Sequence, residues 1–391
     1  MKQRRSTFAV LFAAVVMIAF AMRAPTGGVG PLMQDIRESL GLSAFAAGFL
    51  TTIPLIAFAV TSPLTGKLVQ WKSSFAIVLA ALLLTVPGLL LRSYGGKVGL
   101  FAGTVLLGLG IGVLNVLMPA LIRHCFPDRI GFMMGVYSTS MAGSSALMSG
   151  TCQSIALHFG GWQISLASPV IFALAAIVLC SVTHRYLVLP RQQAGGAKSR
   201  LFTAKRLAIA MFMGLQAFMF FSMLTWFPSI VERNGALPLA SGTMLLLLQL
   251  CCLLPSLVMP MICQRTRHKG LLACVSTLGF TVGFVLLLVG STTALFCATV
   301  ILGLANGATV SLALTFVATQ GVDPVDTARV SAVSQCVGYA LSTVGPSGLG
   351  YLYDVFQSWT PTLWCLIVLS VVMALLGLAA GSSHEKARAG A

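Results

Sequence analysis

Charge is scarce in this sequence. Only 8% of its 391 residues are Asp, Glu, Lys or Arg, and acids number 8 against 24 bases. Soluble globular proteins are about 25% charged, so an ordinary aqueous enzyme is excluded. Disorder, which needs high charge and little apolar content, is excluded as well. Signatures of chemistry are also missing: there is no GxxxxGK[ST] loop, no HExxH, no CxxC and no Ser/His/Asp set placed for catalysis. The ten cysteines, among them Cys125, Cys180, Cys251 and Cys252, lie mostly in apolar stretches and read as small buried residues. Neither metal, cofactor nor enzymatic activity is expected. Gly108-Leu-Gly-Ile-Gly112 lacks the strand and later acid of a dinucleotide loop, and reads as close helix packing.

What is present is apolar: 57% hydrophobic residues and a mean hydropathy of +0.95. Charge-poor stretches predict twelve spans, at 6–34, 43–66, 73–91, 98–122, 130–157, 163–183, 207–231, 239–263, 270–290, 294–322, 330–353 and 359–381. Lipid cannot satisfy free backbone polar groups, so each span is helical. Continuous apolar runs such as Leu245–Leu248 rule out alternating barrel strands. The expected fold is an all-α integral membrane protein of twelve transmembrane helices.

The formal charge of +16 raises the question of nucleic acid. Its placement answers it. With a cytoplasmic N-terminus, every Lys and Arg lies in a cytoplasmic segment except Arg23 in span 1 and Arg37, Arg92, Lys97 and Arg233 in outer loops. This is the positive-inside pattern, and it places both termini in the cytoplasm. The partner of the basic residues is the bilayer, and no nucleic-acid partner is expected. The basic start before Phe8–Met22 resembles a signal peptide, but eleven further spans point to an uncleaved first helix.

The longest polar segment, 184–206, carries Arg185, Arg191, Lys198, Arg200, Lys205 and Arg206 around Gly195-Gly196. It reads as a basic cytoplasmic linker between an N-terminal six-helix bundle (1–183) and a C-terminal one (207–381), followed by a cytoplasmic tail (382–391). A shift of 195 residues superposes Gly108-Leu109 on Gly303-Leu304, Gly112 on Gly307, Asp128 on Asp323 and Gly143 on Gly338. A shift of 194 superposes Gly48 on Gly242 and Ser62 on Ser256. Six spans per half make the repeats parallel and pseudo-symmetric, as in major facilitator transporters, whose substrate lies between the halves near the bilayer midplane.

Arg23 is the one charge read inside a span. It follows fifteen apolar residues, Phe8–Met22, which puts it roughly 22 Å from the cytoplasmic boundary. Arg at a helix centre costs about 2.5–3.5 kcal/mol on insertion scales, and it cannot shed its proton. A span ending there, with its guanidinium reaching the outer surface, would cover only about 22 Å of a 30 Å core. The next residues, Ala24-Pro-Thr-Gly-Gly-Val-Gly-Pro31, are uncharged and loosen helices. No carboxylate lies within the spans, so the natural partner of Arg23 is a substrate with two coplanar acceptor oxygens or a small linear anion. Coupling through a buried carboxylate has no residue to use. Facilitated diffusion, anion exchange and protons carried by the substrate stay open.

Thr51 and Thr52, Asn115, Ser138, Gln216, Gln249, Asn306, Thr309, Gln335 and Tyr339 are further polar residues at mid-span. Such residues commonly tie membrane helices together. Gln249 stands out between Leu245–Leu248 and Leu250. Trp226 reads either as an interfacial belt residue or as an aromatic wall for a flat solute.

Several blocks carry a family likeness. Met22-Arg-Ala-Pro-Thr-Gly-Gly-Val-Gly-Pro-Leu32, Gly48-Phe-Leu-Thr-Thr-Ile-Pro-Leu-Ile-Ala-Phe-Ala-Val-Thr-Ser-Pro63 and Asn115-Val-Leu-Met-Pro-Ala-Leu-Ile-Arg-His-Cys-Phe-Pro127 are the first three. Trp226-Phe-Pro228, Leu248-Gln-Leu250, Gly307-Ala-Thr309, Leu314-Thr-Phe316 and Ser334-Gln-Cys-Val-Gly-Tyr339 continue it. Together they resemble the cyanate/nitroimidazole porters of the major facilitator superfamily over essentially the whole chain, with the closer likeness to the 2-nitroimidazole exporters. The resemblance implies a monomeric carrier in the bacterial inner membrane that works by alternating access. It also implies that Arg23, Asn115, Trp226, Gln249, Gln335 and Tyr339 face the cavity.

One departure matters. The superfamily's loop between spans 2 and 3 carries an acid that latches the cytoplasmic side. Gly66-Lys-Leu-Val-Gln-Trp-Lys72 keeps Gly66 and the bases, including Lys72, but has Gln70 and no acid, so any latch there acts through neutral hydrogen bonds. The expected function is transport of a small planar anion or nitro-substituted heteroaromatic, with efflux favoured. Uptake of cyanate or a related inorganic anion by the same fold is the alternative. A non-transporting membrane sensor is disfavoured by the absence of an output domain.

Overall fold

The computed structural model describes residues 2–42, 44–189, 203–233, 238–321 and 324–381, and its described residues form helices and turns only. Six helical spans come from the N-terminal part: α1 (Lys2–Gly27), α3 (Ala44–Trp71), α4 (Ser74–Tyr94), α5 (Gly96–Cys125), α6 (Ile130–Phe159) and the broken pair α7 (Trp162–Ala167) and α8 (Val170–Val182). The short α2 (Met33–Leu40) lies between α1 and α3. Six more follow: α9 (Ala204–Arg233), α10 (Pro238–Arg265), α11 (Lys269–Val289), α12 (Thr292–Gln320), α13 (Pro324–Phe356) and α14 (Thr360–Gly381). The twelve-helix membrane architecture expected from composition is the one found. Of the proposed linker and tail, residues 190–202 and 382–391 lie outside the described residues.

Two sequence expectations need correction. Span 1 does not run to residue 34: α1 ends at Gly27, and Gly28–Leu32 turn into α2. Pro25 and the Gly27-Gly28 pair explain the stop, because proline removes a helix donor and glycine is costly in a helix interior. Arg92 is not in an outer loop. It lies in the last turn of α4 and is only 3% exposed.

Ten spans satisfy length and hydropathy criteria for crossing a membrane. The other two, α6 and α13, are 30 and 33 residues long but rich in small polar residues, such as Ser138-Thr-Ser-Met-Ala-Gly-Ser-Ser145. They face protein more than lipid, because each makes a main contact between halves: α6 packs on α10, and α13 packs on α3. Within the halves the pairings repeat. The partners α1/α6, α3/α5 and α4/α8 in the first half recur as α9/α13, α10/α12 and α11/α14 in the second.

The glycine repeat is the sequence trace of that symmetry. A Cβ at Gly112 would lie 3.1 Å from Cα of Phe58, and one at Gly307 would lie 2.9 Å from Cα of Cys252. Phe58 and Cys252 are themselves related by the 194-residue shift, so one close helix crossing is built twice. The contact between halves is a wedge. At the face where α1 begins, the N-terminal face, a Cβ on Gly66 of α3 would meet Ala332 of α13 at 2.7 Å, and one on Gly135 of α6 would strike the carbonyl of Leu257 on α10. Further along α6, a Cβ on Gly150 would meet nothing within 4 Å. The halves are therefore sealed at the N-terminal face and parted at the opposite face.

Substituting Gly112→Val or Gly307→Val is expected to overpack the equivalent crossings and cost each half about 1–3 kcal/mol. Both should lower the melting temperature of the purified protein by similar amounts, whereas Gly150→Ala should leave it unchanged or raise it.

Candidate functional site

Where the wedge opens, a central cavity of about 90 Å³ lies between the halves. It is continuous, through Arg23, Thr26, Phe221, Leu224 and Gln249, with a vestibule of about 750 Å³. The vestibule reaches the face opposite the N-terminus, where the exposed Gly30, Pro31 and Thr243 border it.

Arg23, one turn before the end of α1, projects into both spaces. Its guanidinium carbon lies 5.9 Å from the ring centre of Phe220 and 5.8 Å from that of Phe221, both on α9, within cation–π range. The hydroxyl-bearing Tyr339 on α13 lines the cavity with it. Among the described residues no carboxylate pairs with it, and no Asp, Glu or His lines either space. Its backbone carbonyl accepts a hydrogen bond from Thr26 Oγ1 at 2.9 Å, which ties down the last turn of the helix.

The opposite wall is a polar chain on the C-terminal half. Gln216 Nε2 donates to Asn306 Oδ1 at 3.1 Å, and Asn306 Nδ2 donates to Cys252 Sγ at 3.6 Å. Asn115 and Gln335 meet beneath the cavity, where Gln335 Nε2 donates to the Asn115 carbonyl at 3.4 Å. Asn115 Nδ2 and Gln335 Oε1 are buried without a hydrogen-bond partner, and a buried polar group left unpaired costs about 1–3 kcal/mol. Met141, Met213, Val310 and Leu314 complete an apolar lining. The space therefore offers a fixed cation, amide groups and flat aromatic faces, which suit a planar solute with acceptor oxygens.

Four expected site residues meet at the central cavity: Arg23, Asn115, Gln249 and Tyr339. Gln335 is buried just behind them, and Thr51 and Thr52 line the vestibule instead. Trp226 lines neither space. Its indole N–H donates to the Pro346 carbonyl at 2.7 Å, and its ring lies 5.3 Å from that of Trp359. The aromatic wall falls to Phe220 and Phe221, whose positions carry no mark in an already apolar run.

At the N-terminal face, Gly66 lies at the α3–α13 contact, while Gln70 Nε2 donates to the Gly66 carbonyl of its own helix at 3.0 Å and Lys72 is exposed. At the end of α5, Arg123 bonds across the halves. It donates to the carbonyls of Ala318 and Gly321 and to Thr327 Oγ1 around the α12–α13 turn. Arg206 braces the same turn from the other side, through Asp326 at 3.0 Å and the Gln320 carbonyl at 3.2 Å.

The profile of the Major Facilitator Superfamily matches residues 11–346. The chain is 36% identical to the uncharacterised transporter YycB of Bacillus subtilis (strain 168) over 375 residues, covering 95% of this chain and 93% of that protein. It is 32% identical to the 2-nitroimidazole transporter of Escherichia coli (strain K12), covering 96% of each, and 25% identical to the cyanate transport protein CynX of the same strain, covering 92% and 94%. Among solved structures, the proton:xylose symporter XylE bound to 6-bromo-6-deoxy-D-glucose superposes with a TM-score of 0.76 at 13% identity, over 96% of this chain and 94% of that one. That likeness concerns the fold.

Arg123→Ala removes charge-assisted hydrogen bonds of about 1.5–3 kcal/mol each from the sealed face. In a cysteine-free background, a cysteine replacing Ala332 should react with maleimide about tenfold faster or more once Arg123 is gone. An unchanged labelling rate would show that Arg123 does not hold the face closed.

Proposed function

Because the chain belongs to the Major Facilitator Superfamily, we propose that it is a secondary carrier for a small planar anion or a nitro-substituted heteroaromatic. The observation that carries this reading is Arg23, a permanent cation at the junction of cavity and vestibule with no carboxylate partner among the described residues. A nitro group or carboxylate presents two coplanar oxygens to a guanidinium fork, and a ring can lie against Phe220 and Phe221. Relatives named for 2-nitroimidazole and cyanate at 32% and 25% identity support the same class, and their order favours the nitroazole.

In this reading the protein resides in a bacterial inner membrane as a monomer with both termini in the cytoplasm, as the distribution of Lys and Arg indicates. The N-terminal face is then cytoplasmic, and the conformation described faces outward, with Arg123 holding the inner side shut. Arg23 anchors the acceptor atoms, and Asn115, Gln249 and Tyr339 complete their hydrogen bonds. Rocking of the halves about the wedge carries the solute across, in the direction of efflux. Uptake of cyanate through the same site is the second reading.

Counterflow in proteoliposomes tests the proposal, with labelled 2-nitroimidazole and labelled cyanate side by side. Loss of one charged hydrogen-bonding partner, about 1.5–3 kcal/mol, should weaken transport by Arg23→Gln about tenfold to a hundredfold. Arg23→Lys, which keeps the charge but not the fork, should fall between. Unchanged counterflow by a correctly folded Arg23→Gln protein would overturn the assignment, and accumulation of cyanate alone would select the second reading.

A further inference from the structure

Two arginines beside the end of α1, Arg92 and Arg23, are held in different ways. Arg92 is 3% exposed and donates through Nη1 to the Pro25 carbonyl at 3.0 Å and through Nη2 to the Leu166 carbonyl at 3.4 Å. Both acceptors belong to the N-terminal half, so Arg92 keeps its partners however the two halves move. Among the described residues, no such carbonyls accept from Arg23. It has the faces of Phe220 and Phe221 and shares the cavity with Tyr339, all on the C-terminal half, and it borders the open cavity and vestibule.

Sharing the cavity with Arg23 are Asn115, Gln249, Phe220, Phe221 and Tyr339, and Tyr137 lies close enough to feel its charge. None is a carboxylate, so no described residue at the site balances the guanidinium charge. While the vestibule is open, solvent can do so. Alternating access requires the vestibule to close over Arg23 before the other face opens, and closure withdraws that solvent. An unpaired guanidinium in a low-dielectric interior is strongly disfavoured, and arginine cannot lose its proton to escape the penalty.

We propose that this protein is an obligate anion exchanger: the halves reorient only with an anion on Arg23, so one anion crosses each way per cycle. This rests on the reading that Arg23 receives the substrate. The exchange is electroneutral, since each crossing carries one guanidinium and one anion. A nitroazole would bind as its azolate, having given its ring proton to water before binding, and no proton passes through the protein. The counter-substrate belongs to the same chemical class, a small flat or linear anion.

The test uses full-length protein in liposomes at pH 8, loaded with labelled 2-nitroimidazole or labelled cyanate. The vesicles are diluted into gluconate medium with or without the same unlabelled probe, and losses from protein-free vesicles are subtracted. Efflux about tenfold faster or more with external probe, and insensitive to a valinomycin-imposed potential, is the expected result. Thermal stabilisation of the detergent-solubilised protein by each probe, in wild type and Arg23→Gln, runs in parallel. A probe that stabilises wild type but not Arg23→Gln, yet leaves at the same rate with or without external probe, overturns exchange and leaves the site assignment standing. Absence of stabilisation by both probes removes the site assignment, and exchange with it.

Discussion

A cation that can neither be neutralised nor moved out of the bundle sets the terms for this protein. In lipid, every polar group has to be satisfied by protein, by solute or by water admitted through a cavity. Arg92 meets the first condition in part, through two carbonyls near the ends of α1 and α7, while its Nε is buried without a partner. The loosened stretch after Pro25 therefore does two things: it ends the first helix early, and it frees an acceptor for a buried charge. Arg23, two residues before Pro25, is left on the cavity side of the same break. One short segment thus separates an arginine held by backbone carbonyls from one that borders the cavity and vestibule.

The surrounding architecture keeps that partner's site accessible from one face at a time. Gly66 on α3 and Gly135 on α6 allow tight approach at the N-terminal face, whereas Gly143 and Gly150 further along α6 meet only ordinary contact or none, so the interface is a wedge by construction. Its sealed end is held by Arg123 on backbone carbonyls and a threonine hydroxyl. Each such bond is modest on its own, which suits a contact that must break and re-form in every cycle. A desolvated ion pair at this place would be harder to open.

The fold was legible because lipid imposes a simple rule. Apolar runs set most of the helices within a few residues, and the recurrence of Gly108 and Gly112 as Gly303 and Gly307 marked the duplicated crossing. Arg23 was legible for the same reason, since a charge after fifteen apolar residues has few explanations. Arg92 was misplaced because a base near a span's end looks the same in sequence whether it reaches outward to water or folds back onto carbonyls. Trp226 was read either as an interfacial belt residue or as a cavity wall, the family resemblance favouring the wall, but indole polarity does not say whether its N–H points to a ligand or to the Pro346 carbonyl. Phe220 and Phe221 were missed because two phenylalanines within an apolar helix carry no signal until α1 is laid beside α9. The latch was sought in the loop after α3, where the acid was missing, while Arg123 stood unremarked at the end of α5.

The duplication makes an asymmetry at the site instructive. The repeat that pairs α1 with α9 and α3 with α10 is kept in the packing, yet the two halves present different chemistry to the cavity. The N-terminal half contributes the charge of Arg23 and the unpaired amide N–H of Asn115. The C-terminal half contributes the rings of Phe220 and Phe221, the Gln216–Asn306 pair and the Tyr339 hydroxyl. A solute held by Arg23 alone would gain little from closure, and one held by the rings alone would leave the cation bare. A ligand with acceptor atoms at one end and a flat body at the other can engage both halves at once. Binding energy is then realised across the moving interface, where it can favour the occluded state over the open one.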